Sequence, residues 1–283
     1  MRDNFCGWYF KCQSDTQTMA VIPAVHTSKS CRSCSLQLIT DTGAWSIPLP
    51  YAQFHKQGRG LGVQLGENRF SESGFSLRLR APGFTAKGSL RFGPLSPLRY
   101  DIMGPFRYMP FMECRHGIWS MDHTVNGEIQ VNGEPYRFQA ARGYIEGDRG
   151  YSFPRHYAWT HCFFEEGSVS LSAADIPLGP VRFTGVIGVV LWQGREYRLA
   201  TYLGAKAVRI AEGELVIRQG DYILTARLLE KRPHPLLAPV SGDMRRTIGE
   251  SAACRASYHF QKGGRTLFYF ESPMASFEYE YPR

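Results

Sequence analysis

No stretch of this sequence stays apolar for the roughly 18 residues that a membrane-spanning helix needs. Runs such as Val186 to Trp192 are far shorter. The chain is therefore expected not to span a membrane, although transient contact with a membrane surface stays open. Sustained helical periodicity is also scarce, because 29 Gly and 17 Pro break the chain at short intervals. There is no P-loop, no G-x-S-x-G and no H-E-x-x-H. Gly58-Arg59-Gly60-Leu61-Gly62 is glycine-rich but lacks the dinucleotide-binding register. Cys31 and Cys34 have half the spacing of a four-thiolate zinc site, and no second pair completes it. On an extended segment they point to opposite faces, as two unrelated thiols. Seven cysteines, an odd number, and a start (Met1 to Asn4) that leads straight into a strand pattern imply a cytoplasmic protein with free thiols. The formal charge of +8 is spread along the chain without a basic block. That pattern fits a solvated basic surface and no nucleic-acid partner.

What the sequence does contain is strands. Phe75 to Arg80 alternates strictly, with Phe75, Leu77 and Leu79 on one side. Similar apolar or alternating segments run over 8–12, 19–25, 35–40, 44–49 and 84–92. Asn126-Gly127, Asn132-Gly133, Gln193-Gly194, Gln219-Gly220 and Gly263-Gly264 carry turn chemistry between them. Gly93 to Pro97 and Pro233 to Pro239 read as loops by their proline spacing. The expected fold class is all-β, two lipocalin-like antiparallel barrels packed together. The expected division is 1–140 and 141–283, with the boundary near 135–150.

The stretch from Gly143 to Cys162 holds the candidate chemistry. On an extended backbone Tyr144, Glu146 and Asp148 share one face. After a Gly/Ser/Pro break, Tyr157, Trp159, His161 and Phe163 share another. A carboxyl group buried among apolar side chains keeps its proton more readily, and a second one nearby strengthens the effect. Such a pair can serve as a general acid. Its competitor is a structural ion pair with Arg142, Arg149 or Arg155, whose guanidinium would depress a carboxyl pKa. Glu113, His116, Asp122 and His123 contain metal-ligand residue types but match no ligand spacing, so hydrogen bonding is the expected role.

Tyr144-Ile145-Glu146, then Asp148, Gly150 and Ser152-Phe153-Pro154 before an aromatic strand, resembles the signature of the tocopherol cyclase family. Gly7-Trp8-Tyr9-Phe10-Lys11, Met112 to Gly117 and Arg198 to Lys206 resemble further family segments in the same order. Gly147 and Arg149 stand where the plant-type pattern has Lys and Trp. The resemblance implies a two-barrel, calycin-type fold and closure of a chromanol ring, in which a phenol oxygen adds across a prenyl double bond. That reaction starts with a proton and implies neither metal nor cofactor. On this reading Asp148 and Glu146 are the acids, and His161 takes the phenol proton. Tyr144, Tyr157, Trp159 and His116 line a hydrophobic substrate pocket, the aromatic faces stabilising a developing cation. Two alternatives remain: a non-enzymatic carrier of a hydrophobic small molecule, and a terpenoid or polyene isomerase or hydratase using the same acid.

Overall fold

The structure is a computed structural model that describes residues 3–29, 31–58, 60–110, 112–178 and 181–282, with only the backbone at Leu178 and Val181. Met1, Arg2 and Arg59 of the segments read above lie outside the described residues. Packing divides the chain into two units: Met1–Pro97 with His116–Ser152 and Leu236–Arg246, and Leu98–Arg115 with Phe153–Pro235 and Thr247–Arg283.

Eleven strands form the first sheet: β1 (Asn4–Gln13), β2 (Thr18–Thr27), β3 (Arg32–Thr40), β4 (Ala44–Leu49), β5 (Phe54–Gln57), β6 (Gly62–Leu65), β7 (Asn68–Ser71), β8 (Gly74–Ala81), β9 (Phe84–Phe92), β10 (Cys114–Val131) and β11 (Glu134–Gly150). Their order is β4-β3-β2-β1-β11-β10-β9-β8-β7-β6-β5. Ile47 on β4 and Val63 and Leu65 on β6 belong to the same buried cluster as Phe10, Phe70 and Phe75. Strands near opposite ends of the hydrogen-bonded path thus share one core, so the sheet curls into a barrel-like wall. Alternation places Trp8, Phe10 and Cys12 of β1 and Ala141 and Ile145 of β11 inside it.

The second sheet contains β12 (Tyr157–Phe164), β13 (Gly167–Leu178), β14 (Val181–Trp192), β15 (Arg195–Ala200), β16 (Lys206–Ala211), β17 (Glu214–Gln219), β18 (Tyr222–Glu230), β19 (His234–Val240), β20 (Asp243–Lys262) and β21 (Arg265–Tyr279). The path is β15-β14-β13-β12-β21-β20-β18-β17-β16, with β19 paired to β20 off it. Leu199 of β15 and Ile217 of β17 again share a core. The protein is all-β, and every pairing described is antiparallel.

Two local expectations need correction. Asn126-Gly127 is not a turn, since β10 continues through it. The Asn126 side chain instead accepts the Ala140 amide at 2.8 Å, where Ala140 takes a positive φ of 47°. The turn is Asn132-Gly133, with φ of 50° and 90°. Nor is Pro233 to Pro239 simply a loop, because His234–Val240 forms β19. This strand lies at an edge, where a proline without an N–H is tolerated.

Within β9, Gly88 has φ of +136°, and a Cβ there would lie 2.2 Å from the Glu128 carbonyl oxygen. Gly88→Ala is expected to destabilise the protein by about 3 kcal/mol. Urea denaturation would read this as a lower midpoint at unchanged slope.

Candidate functional site

Because Ala141 and Ile145 of β11 face the first core, Arg142, Tyr144, Glu146 and Asp148 form the opposite row. In register on β1, Tyr9 lies across from Glu146, Lys11 from Tyr144 and Gly7 from Asp148. The middle of this row is deeply buried. Tyr144 and Lys11 have no exposed surface, and Glu146 retains 5 %. Gly147 suits the close approach of the strands, since a Cβ there would meet the Gly7 carbonyl oxygen at 2.5 Å and the Trp119 ring at 3.0 Å. A lysine in its place would not fit.

His116, on β10, completes the cluster. Its Nε2 lies 3.2 Å from Glu146 Oε2 and its Nδ1 3.1 Å from Asp148 Oδ1. The Tyr144 hydroxyl donates to the same Glu146 Oε2. Burial alone would push the imidazole pKa down. Glu146 and Asp148 outweigh it and hold the group well above its ordinary value of 6.5. The ring is therefore an imidazolium at neutral pH, donating one N–H to each carboxylate. Accessibility rises along the cluster, with side-chain exposures of 7 % at Glu146, 11 % at His116 and 23 % at Asp148. Asp148 is the member most open to a ligand.

Ligand atoms of His116, Glu146 and Asp148 lie within 4.8 Å of one another, a spacing that also invites a metal. An imidazole offers a metal only one nitrogen, however, and here each nitrogen faces a different carboxylate. That geometry forms a proton bridge, and it equally lets Nε2 ligate a metal beside Glu146 while Asp148 holds Nδ1–H. Two of the other metal-type residues have partners of their own. Asp122 pairs with Arg142 at 2.5 Å. His123 bonds Ser120 Oγ at 2.9 Å and packs edge-on against Phe92.

The remaining sequence candidates sit on β12 in the second unit. Tyr157, Trp159 and His161 are all buried. They form the row opposite Ala158 and Cys162, which enter the second core. The Tyr157 hydroxyl donates to Glu278. Trp159 lies directly across from Glu278 in the β12–β21 register, and His161 meets the Phe163 ring edge-on at 4.6 Å. Glu278 is also directly opposite Glu250, with 9 % and 1 % exposure. This second buried carboxylate pair had no sequence signal, because Phe277-Glu278-Tyr279-Glu280 reads as an ordinary half-solvated strand. Lys11 was missed too. Its signal was a lysine alternating with Trp8, Phe10 and Cys12. A buried ammonium requires opposite charge nearby, and its own row carries Glu146 and Asp148.

Cys34 is buried and its thiol pKa is pushed up to about 11 by burial, whereas Cys31 is exposed. The pair therefore does not form a reactive dithiol. All seven cysteines are free. No helix among the described residues is long and apolar enough to cross a membrane.

The fold has known counterparts. No family model matches the chain, and no curated protein sequence matches it. Solved structures do. The AttH-type protein of Nitrosomonas europaea aligns over 100 % of this chain and 93 % of its own, with TM-score 0.53 and 12 % identity. Kievitone hydratase from Nectria haematococca aligns over 98 % and 89 %, with TM-score 0.57 and 10 % identity. CghA with Sch210972 aligns over 98 % and 88 %, with TM-score 0.60 and 11 % identity. At these identities the likeness establishes the two-barrel architecture over the full chain.

Two further histidines give a pH prediction. Burial lowers the pKa of both His26 and His123 to about 4. Each binds fewer protons when folded than when unfolded between about pH 4 and 6.5, so stability falls as pH drops through that window. The loss approaches about 3 kcal/mol per residue. His116 has the opposite sign. Its contribution is complete below pH 6.5 and disappears as pH rises through its elevated pKa. Urea midpoints at pH 7 and pH 4.5 should differ clearly in the parent protein and much less in the His26→Gln/His123→Gln variant.

Proposed function

We propose that this protein is an enzyme that adds a proton to a carbon–carbon double bond of a lipophilic small molecule and directs an oxygen nucleophile to the resulting cation. The observation carrying this reading is the single His116 ring held between two carboxyl groups, one buried and one partly accessible. In the resting cluster His116 stores the proton. Its transfer to Asp148 produces a neutral carboxylic acid, the stronger donor toward an alkene. Glu146, fixed by the Tyr144 hydroxyl, keeps the imidazole oriented and stabilises its charge.

The proton then bonds to one alkene carbon, leaving tertiary-cation character on the other. An internal phenol oxygen attacks that carbon and loses its proton, which balances the one donated. The net change is an isomerisation with no proton consumed, as in the ring closure of the tocopherol cyclases that the Tyr144–Pro154 segment resembles. With water as nucleophile the same first step gives a hydration. Fold likeness to kievitone hydratase and to CghA with Sch210972 supports a small organic substrate. The roles of His161 as phenol base and of Tyr157 and Trp159 as cation-stabilising faces are drawn from the family resemblance.

The test is incubation of purified protein with prenylated quinols in deuterated water, with products read by mass spectrometry. Cyclisation should place one deuterium on carbon in the product. Asp148→Asn should lose turnover and Glu146→Gln should lose most of it. Unchanged turnover in both variants would remove the proposed acid, and release of a bound molecule chemically unchanged would favour a carrier.

A further inference from the structure

Four of the eight large hydrophobic side chains exposed among the described residues come from two neighbouring segments of the second unit: Tyr108 (77 %), Val208 (51 %), Tyr100 (49 %) and Leu203 (45 %). Single exposed apolar residues need no explanation, but a group rimmed by charge does. The segments are held together. The Phe106 ring packs against Tyr202 at 5.9 Å and Phe183 at 6.4 Å, and the Tyr202 hydroxyl donates to the Ile102 carbonyl. Arg198 lies 3.5 Å over the Tyr100 ring and donates to the Tyr100 and Asp101 carbonyls. The tips are thus fixed apolar projections on a built platform.

Exposed cations surround them. Arg107 lies over the Tyr108 ring at 5.3 Å. Lys206 follows Leu203 and lies directly opposite Arg218, so two like charges face solvent side by side. The nearby acids are already engaged: Asp101 with Arg107 and Glu196 with Arg198. Like charges placed opposite one another across strands are unfavourable unless an external anion compensates them.

We propose that this face, built from residues 100–108 and 203–208 with the cation of Arg218, docks on an anionic lipid bilayer. Tyrosine and leucine tips enter the headgroup boundary, while the basic rim meets lipid phosphates. The inference goes beyond the acid chemistry and does not depend on it. Its occupant is a lipid surface because the apolar tips project and the net positive charge of the rim complements anionic headgroups.

The test is co-sedimentation with vesicles of phosphatidylcholine alone and of phosphatidylcholine with phosphatidylglycerol. The parent protein should pellet with the anionic vesicles, much less with the neutral ones, and less as salt is raised. Tyr108→Ser/Leu203→Ser and Lys206→Glu/Arg218→Glu, each surface substitutions verified by circular dichroism, should each weaken binding about tenfold or more. Absence of binding to anionic vesicles, or binding by both variants at the parent level, overturns the proposal. A parent dimer that becomes monomeric in Tyr108→Ser/Leu203→Ser would also overturn it, by assigning the face to contact between copies of the chain.

Discussion

Replacing His116 with glutamine is expected to lower turnover by about a hundred- to ten-thousandfold, the usual range for loss of a general acid–base group. Glutamine retains hydrogen-bonding capacity but cannot carry the proton. The carboxylates of Glu146 and Asp148 then face one another without the imidazolium, which lies 3.2 Å from the first and 3.1 Å from the second in the parent. No ring between them then holds the proton at neutral pH. The substitution therefore should also change the pH profile, moving the active form toward acid, and not merely lower the plateau. A variant lacking only a structural hydrogen bond would lose stability with little change in profile. Steady-state rates across pH, beside melting temperatures, separate the two outcomes. Glu146→Gln should fall between His116→Gln and the parent, since the Tyr144 hydroxyl can still bond the amide oxygen.

Arg198→Ala is expected to destabilise the second unit by about 3–5 kcal/mol, among the largest effects of any single substitution outside the cores. Arg198 and Glu196 form an ion pair at 2.6 Å with side-chain exposures of only 6 % and 7 %. The guanidinium also donates to the Tyr100 carbonyl at 2.5 Å, the Asp101 carbonyl at 3.1 Å and the Tyr202 hydroxyl at 3.3 Å. Its removal leaves a buried carboxylate uncompensated and takes a donor from the Tyr100 and Asp101 carbonyls, of which Asp101 keeps the Gly104 amide. Removing both charges, as in Glu196→Leu/Arg198→Met, should recover much of the loss because no unpaired ion remains. Denaturant titration of the two variants measures the difference. A loss below about 1 kcal/mol for Arg198→Ala would show the pair to behave like an exposed one.

The all-β class was legible because this chain writes its turns in chemistry. Gln193-Gly194 and Asn132-Gly133 both take the positive φ that their residue types permit. The same vocabulary misled at Asn126-Gly127, where the asparagine side chain supports a distortion within one long strand. Pro235 and Pro239 misled in the other direction, since an edge strand needs fewer N–H donors. Within the site, Tyr144, Glu146 and Asp148 were readable as one face from period-two alternation alone.

His116 was harder to connect, because it lies about thirty residues from its partners. Counting back from the Asn132-Gly133 turn brings 116 opposite about 149, and because directly opposite residues share a face, that count sets His116 away from Asp148. The positive-φ Ala140, where the core positions of β11 switch from Tyr136 and Phe138 to Ala141 and Ile145, restores it to the Asp148 face. Lys11, Glu250 and Glu278 could not be placed this way. Their burial depends on what covers each strand, and alternation reports only which face a residue takes.

Nitrogen-15 NMR of the His116 imidazole reads the protonation of this cluster without any substrate. At about pH 7.5 the account predicts both ring nitrogens protonated, with the signal assigned by its loss in His116→Gln and with deprotonation only well above the ordinary histidine range. A neutral ring with one bare nitrogen at that pH would contradict the stored proton, and with it the acid proposed for Asp148.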